Sequence, residues 1–512
     1  MGRFRFSAAS AVTDGLTDAS PAVALSSTSS APAYNAAGTG RRLAGWRTFG
    51  GGPNAVVAAS QPELLRRARD LKRNNPHAKR ALGLYRTHMV GTGVKPQSLC
   101  SDPAVRAAIH ALWARWTDFA DADGGYDFYG LQAQAAEELA TAGEVFARLR
   151  PRRMADGLPV PLQVQLLPAE QLPLSHTTTT PGGNEILQGI ERDAIGRRAG
   201  YWFHRRHPGD PVVSAAGDAW ELSRVDSGDV CHLRLADPGQ LRGLPWLAPA
   251  MTTLKQLADW QDASLHRKQL VTSLVGFVRK AVSGEIDAQK LAEKWSEVRE
   301  ELGDLPAVTL EPGTMQYLDP GEDVEFTNWP ETAGADEAFI RASLRSAAAA
   351  LDVLYEELTG DWSQTNDRTF RAGFATFKRL MRQHQHNLLC FQFNRPVFLR
   401  WLDLAIASGA LRLPRGMGPA DYQAVAWVPE RWEYLNPLQD VRAVTAEIDA
   451  GLTSRSAAVA ERGEDVEVVD AARKGDRERE SKMGLAAQSP SAPSPASPPR
   501  SSGKPAGRKP TL

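Results

Sequence analysis

DEAFIRASLRSAAAALDVLYEELTG, residues 336–360, is the stretch whose pattern decides the fold. Ile340, Leu344, Ala347, Ala348, Leu351, Tyr355 and Leu358 recur at three- and four-residue intervals, which places them on one stripe of an α-helix. Asp336 offers an N-cap acceptor, and Gly360 offers the left-handed residue that closes a helix. The spacing predicts one long helix ending at Leu358. A second periodic segment lies upstream. Pro249, whose missing N–H costs nothing in a first turn, opens it, and Leu254, Leu257, Ala258 and Leu265 carry it to about Thr272. At ~1.5 Å per residue, helices of this length span roughly 33–36 Å. Between them, 275–280, 307–310, 313–318 and 323–328 read as short strands, with turns at Pro312-Gly313 and Pro320-Gly321. Residues 285–301 read as a polar helix around Leu291 and Trp295. A small α/β unit is thus inserted between two long helices.

Past Gly360, a polar loop carries Asp361, Gln364, Asn366, Asp367 and Arg368. It leads into a third long helix, about Phe370 to Phe393, which Pro396 kinks or ends, and a further helix reaches Ser408. Asn436-Pro437-Leu438-Gln439 supplies a cap, a first-turn proline and a reciprocal glutamine. Gly451, Ser454, Gly463 and Asp465 punctuate the short helices beyond. Upstream, 62–90 reads as helix broken at Asn74-Asn75-Pro76, and 105–119 and 130–142 are helical. Strand patterns stand at 143–150, 161–168, 186–191, 199–205 and 229–235. The fold class is α+β, mainly helical. Residues 1–60 hold few large apolar groups and are expected to be loose, with Tyr34, Arg41, Arg42 and Trp46 as contacts for a neighbouring subunit. Residues 484–512, rich in Ser, Pro, Ala and Gly with Arg500, Lys504, Arg508 and Lys509, read as a disordered basic tail.

The 60 basic and 60 acidic residues cancel, which argues against a chain that grips nucleic acid over its whole surface. Positive charge is local instead. Arg66, Arg67, Arg69, Lys72, Arg73, Lys79, Arg80, Arg86 and Lys95 face only Glu63 and Asp70 across 61–95, as a binding surface or a solvated helix face. Cys100, Cys231 and Cys390 are far apart and read as reduced buried thiols of a cytoplasmic protein. No apolar run approaches the ~20 residues of a membrane span, and the N-terminus lacks the pattern of a signal peptide. No phosphate-binding loop, zinc motif or Gly-x-Ser-x-Gly turn occurs. Gly91-Thr92-Gly93 runs into Lys95-Pro96, which opposes helix entry. His386 and Cys390 lie four apart and read as a shared surface or subunit face; His204 and His207 read as surface residues. Glu356-Glu357 reads as a solvated or interface pair at a helix end. The chain offers no catalytic residue, no metal ligand set and no cofactor site.

Short phrases in fixed order carry a resemblance. They are Leu65-Arg66-Arg67-Ala68-Arg69-Asp70-Leu71, Arg73-Asn74-Asn75-Pro76, Val90-Gly91-Thr92-Gly93, Gly143-Glu144-Val145-Phe146, Gly189-Ile190-Glu191 and Gly239-Gln240-Leu241-Arg242-Gly243-Leu244-Pro245-Trp246. Trp427, Trp432, Asn436-Pro437 and Ala460-Glu461-Arg462-Gly463-Glu464-Asp465 continue it. Over about 34–480 the sequence resembles the portal proteins of lambda-like tailed phages. That resemblance implies a non-enzymatic ring, usually of twelve subunits, at one vertex of the virion capsid, assembled in the bacterial host cytoplasm. It implies a flexible arm (1–60), an α+β wing (61–246), a stem helix (247–274), a clip (275–332), a second stem helix (333–358), a tunnel loop (359–369), wing and crown helices (370–435), a helical crown region (436–483) and the tail (484–512). Double-stranded DNA would pass through the channel. The terminase large subunit, coat and scaffold, and head-completion proteins would be its partners. Leu254, Leu257, Leu265, Ile340, Leu344, Leu351 and Leu358 would pack the stem. Gln364, Asn366 and Arg368 would face the channel, and Arg341 and Arg345 would either touch DNA or form intersubunit ion pairs. An enzyme would need a carboxylate cluster or a Ser/His pair instead, and another head–tail connector would be a shorter chain.

Overall fold

Pro53 starts the first helix, α1 (Pro53–Asn74), and the buried positions Val57, Gln61, Leu65, Ala68 and Leu71 repeat every three or four residues along it. Helix α1 therefore begins inside the segment expected to be loose, because Val57 already belongs to the packed stripe. The computed structural model describes residues 45, 48–210, 221–272, 276–280, 322–326, 333–432 and 436–485. The chain divides into two units, Met1–Gly52 and Pro53–Leu512, and all that follows concerns the second. The expected contacts at Tyr34, Arg41, Arg42 and Trp46, the insertion elements at 285–301, 307–310 and 313–318, and the tail beyond 485 lie outside the described residues.

At the break after α1, the Asn75 side chain caps α2 (Pro76–Met89) by accepting from the Ala78 N–H at 3.0 Å. Strand β1 (Lys95–Ser98) follows, then α3 (Pro103–Thr117), capped by Asp102, and α4 (Phe128–Ala142), capped by Asp127. Next come β2 (Glu144–Pro151), β3 (Leu162–Leu167), β4 (Thr178–Thr179), β5 (Glu185–Leu187), β6 (Ile190–Arg192), β7 (Arg198–His204), β8 (Leu222–Asp226) and β9 (Val230–Arg234). They form antiparallel sheets in the orders β3-β2-β9 and β4-β5-β6-β7-β8. The single strand expected at 186–191 is a hairpin, because Gln188 and Gly189 both take positive φ, 55° and 81°.

Strand β2 separates two cores, since alternate residues face opposite sides of a sheet. Val145, Ala147 and Leu149 enter the larger core with the helices, while Phe146 enters a smaller one with Tyr201, Phe203 and Val225. Trp113, Trp116, Phe128, Phe393, Phe398 and Trp401 interlock at the centre of the larger core, with ring centroids such as Trp113–Trp401 at 5.0 Å. Full burial contributes about 1.5–3 kcal/mol for each Leu or Phe side chain.

Helix α5 (Met251–Thr272) starts two residues past Pro249 and leads to β10 (Gly276–Lys280), which pairs antiparallel with β11 (Glu322–Phe326). Helix α6 (Ala333–Ala350) then packs back against α5, with Trp260 and Phe339 rings 5.1 Å apart. Asp336 lies in its first turn rather than at its cap. The single helix expected to reach Leu358 instead stops at Ala350. Asp352 takes φ +51°, Val353 N–H bonds the Ala348 carbonyl at 3.1 Å, and Asp352 N–H bonds that of Ala349 at 3.4 Å. This is a Schellman closure with aspartate where glycine is usual, and buried Val353 packs the turn. A short α7 (Tyr355–Thr359) follows and is closed by Gly360 at φ +75°.

Helix α8 (Asp367–His384), a π-helical segment (Gln385–Asn394) and α9 (Arg395–Ala407) run on without a break, so Pro396 does not end the helix but sits in the first turn of α9. The π segment has a cause in the sequence. Phe377, Met381, Gln385, Leu389, Phe393, Val397, Trp401 and Ala405 are all buried, one every four residues. On a 3.6-residue helix that repeat drifts about 40° per step. The wider π turns, with Arg395 N–H reaching the Cys390 carbonyl, bring it back onto the core. Helix α10 (Pro419–Tyr422) and β12 (Val425–Val428) follow, and β12 pairs with the distant β1. Helices α11 (Pro437–Asp449), α12 (Arg455–Glu461) and α13 (Val466–Lys482) complete the described chain. Asn436 caps α11 without its side chain, and the Asp440 carboxylate, not Gln439, accepts the Asn436 N–H at 3.2 Å.

Candidate functional site

Two quoted phrases, around Gly143 and Gly243, meet backbone to backbone. Gly143 closes α4 at φ +84°, and a Cβ there would stand 2.0 Å from the Leu244 carbonyl carbon. A Cβ on Gly243 would stand 2.0 Å from the Gly143 oxygen. This contact brings Glu144, on β2, against Arg242. The two side chains are 0% and 1% exposed and lie 2.7 Å apart. Glu144 also accepts from Gln61 Nε2 at 2.9 Å, from the Gly243 N–H at 3.0 Å and from His232 Nε2 at 3.0 Å. Arg242 spends its remaining donors on the carbonyls of Leu172, Gln188 and Ala169 at 2.9–3.1 Å. One ion pair thus joins α1, β2, β9 and the 169–189 segment. Sequence reasoning missed it. The available signals were an acid inside an otherwise apolar strand and an arginine flanked by glycine.

Burial works against charge on Glu144, but the Arg242 charge and the bonds from His232 and Arg242 outweigh it and hold the carboxyl well below the usual range. Burial pulls His232 down to about 3, and its bond to Glu144 only partly offsets this. Neutral His232 is also what the geometry requires. Nε2–H donates to Glu144, and Nδ1 is buried without a partner, so a proton there would be a stranded donor. Unfolded His232 takes up a proton near pH 6.5 and the folded chain does not. Its contribution is therefore complete above pH 6.5 and lost as pH falls toward 3, by about 1.4 kcal/mol per unit. Glu144, depressed in the fold, loses stability in the same direction below about pH 4.5. Urea midpoints should fall between pH 7 and pH 5, and His232→Gln should flatten that slope; an unchanged slope would assign it to other groups.

The basic helices are mostly neutralised within the chain. Arg66 and Arg67 pair with Glu63, and Lys72 and Arg86 with Glu137. Arg69 bonds both Glu138 and Glu170, while Arg80 donates to the Glu357 carbonyl at 3.0 Å. Glu357 itself is buried in the first turn of α7, 3.4 Å from His88, not solvated at a helix end. Cys100, Cys231 and Cys390 are free and buried. His386 is exposed while Cys390 is buried, so the π turns take them off any shared face. Among the described residues no group of three metal-ligating side chains forms, and no helix is long and apolar enough to cross a membrane.

Of the expected stem residues, Leu254, Leu257, Leu344, Leu351 and Leu358 are buried and Ile340 is half-buried. Leu265 is 56% exposed and packs nothing inside this chain's core. Arg341 is paired to Glu337 at 2.6 Å within α6, and Arg345 lies over the Tyr355 ring at 5.4 Å. The loop after Gly360 is ordered by its own side chains. Asp361 accepts from Ser363 N–H at 3.1 Å and Ser363 Oγ–H at 2.6 Å, bonds that hold its carboxyl below the usual range. Asn366 caps α8 through the Thr369 N–H at 2.9 Å. Gln364, Asn366 and Arg368 are exposed, and so is Trp362, which stands edge-on to Phe370 at 5.2 Å.

The model of the family described as phage portal protein, lambda family, matches residues 39–385 of the 512. The chain belongs to the lambda family of phage portal proteins. The probable portal protein of Halomonas phage phiHAP-1 is 23% identical over 439 residues, covering 82% of this chain and 80% of that one. Portal protein B of Escherichia phage lambda is 23% identical over 474 residues, covering 84% and 86%. A chain from the neck of a native gene transfer agent particle matches with a TM-score of 0.41 at 16% identity, over 76% of this chain and 91% of that one. This portal protein is a structural component of the virion and its head–tail connector, not an enzyme.

Proposed function

We propose that this portal protein closes into a ring of about twelve copies at one capsid vertex, and that double-stranded DNA passes through the ring during packaging and ejection. The observation that supports this reading is the helix–strand pair–helix unit of α5, β10–β11 and α6. In a ring, the two helices stand as the channel wall, and the paired strands mark one mouth. The terminase large subunit docks at that mouth and head-completion proteins follow, with coat and scaffold around the wing. Assembly takes place in the bacterial host cytoplasm. Leu265, exposed on α5, faces the next copy. Arg341 and Arg345 are already engaged, so the DNA-facing role falls mainly to the loop. There Gln364 and Arg368 are exposed, and Asn366 divides its side chain between solvent and its cap.

End-on electron microscopy of the purified protein should show rings of roughly twelvefold symmetry with a hole that admits duplex DNA. A monomer at every concentration and salt would overturn the reading. Arg368→Glu should leave rings intact and lower packaged DNA severalfold; full packaging would remove the loop from the channel.

A further inference from the structure

One face of the three-stranded sheet carries a ladder that the portal reading does not use. Arg148, Arg150 and Arg152 alternate along β2 and its continuation, while Val145, Ala147 and Leu149 on the opposite face are locked in the core. Two of the guanidinium groups are anchored diagonally across the strands. Arg150 Nη1 donates to Gln165 Oε1 at 2.9 Å, and Arg152 Nε donates to Gln163 Oε1 at 2.8 Å. Gln163 is fixed in turn, since its Nε2 donates to the Asp121 carbonyl at 2.9 Å and the Phe119 carbonyl at 3.2 Å. Each anchor uses one donor of a five-donor group, and Arg148, Arg150 and Arg152 are all half-buried and not sealed in the core.

Among the described residues no carboxylate pairs with any of the three. Asp229, the acid that acts on Arg148, is held by Arg400 at 2.9 Å. Burial and the neighbouring Arg150 charge push Arg148 below its ordinary range, and the Asp229 charge offsets this only in part. Alternate residues on a strand stand about 6.8 Å apart. Carboxylates at alternate positions of an extended peptide repeat at that same distance, and each can accept a guanidinium fork. We propose that this Arg–Gln ladder is the docking surface for an extended acidic peptide segment of an assembly partner, with carboxylates at every second residue. Strand β2 is central in its sheet, so the contact is made by side chains and not by strand addition. Duplex DNA fits less well, because its affinity is built from many phosphate contacts and three cations on a chain of zero net charge supply few.

The test uses the full chain at about 50 mM salt, where exposed charges are weakly screened. A fluorescent peptide alternating Thr and Glu is compared by anisotropy with one of equal composition whose glutamates are contiguous, and with a short DNA duplex. The alternating peptide should bind about tenfold tighter than the contiguous one, and Arg148→Gln with Arg150→Gln should weaken it by about tenfold per lost fork. Gln163→Leu, which keeps every charge but frees Arg152, should give a smaller loss. Equal binding of the two peptides, or undiminished binding by the double variant, overturns the proposal. Duplex binding that depends on these arginines while the peptides do not bind overturns it in favour of nucleic acid. Ring formation is read separately by microscopy, so failure here leaves the portal reading intact.

Discussion

Arg242→Met is expected to destabilise the fold by about 3–5 kcal/mol, because it strands the Glu144 carboxylate in a fully buried site. Methionine matches the arginine stem, so the loss would be mainly of charge and hydrogen bonds, with a small void where the guanidinium head stood. Glu144 would keep Gln61, His232 and the Gly243 N–H, but no charge would balance it. The carbonyls of Ala169, Leu172 and Gln188 would also lose their common donor, loosening the segment that covers the smaller core. A second variant separates the causes. Glu144→Met combined with Arg242→Met should recover much of the loss, since an apolar pair no longer contains an unpaired buried charge. Chemical denaturation of the soluble chain measures both. A single variant that unfolds like the parent would show that the pair does not hold the sheet to α1.

Gly243→Ala carries the other large effect, and it is steric. The new methyl would stand 2.0 Å from the Gly143 oxygen and 2.5 Å from its carbonyl carbon, both backbone atoms that no rotamer change can move. Overpacking of this kind costs about 1–3 kcal/mol, and more where the backbone must shift. Here the shift would also stretch the Gly243 N–H bond to Glu144, so the upper end of that range or beyond is expected. Gly83→Ala is the control. Gly83 lies inside α2 with nothing within 4 Å of a Cβ, so alanine should stabilise by about 0.5–1 kcal/mol. Opposite signs for the two substitutions would locate the effect in the crossing of the two glycine phrases. Equal, small effects would refute it.

The crossing also explains why the family phrases were legible although each is short. Gly143-Glu144 and Arg242-Gly243 are two halves of one contact. Gly189 lies next to Gln188, whose carbonyl accepts from Arg242. Arg69, in the first phrase, ties α1 to Glu138 and Glu170. In the third phrase, Thr92 N–H donates to Glu430 Oε2 at 2.6 Å, and Gly93 at φ +120° allows the backbone to pass Tyr129. The phrases are residues with exacting local geometry, and they point to packing, not to chemistry.

The channel candidates were harder to place. Arg341 and Arg345 share a helix face in the sequence, but their engagement by Glu337 and Tyr355 depends on rotamers and on the turn at Asp352. Leu265 has the spacing of a core residue but lies on the exposed part of α5, beyond the buried Leu254 and Leu257.

By itself the sequence determined what rests on neighbours within about four residues. That includes α2 through α5 to within a few residues, the closing glycine Gly360, and the strands β2, β3, β7 and β9. Apolar period and capping chemistry are local, so they can be read without the fold. Tertiary structure alone decided the rest. It joined β1 to β12 from opposite ends of the chain and brought Glu144 to Arg242 across 98 positions. It also closed a helix on Asp352 and widened ten residues into π turns to keep a four-residue repeat on one core. Those outcomes depend on burial energy shared among distant segments, which outweighs local propensity.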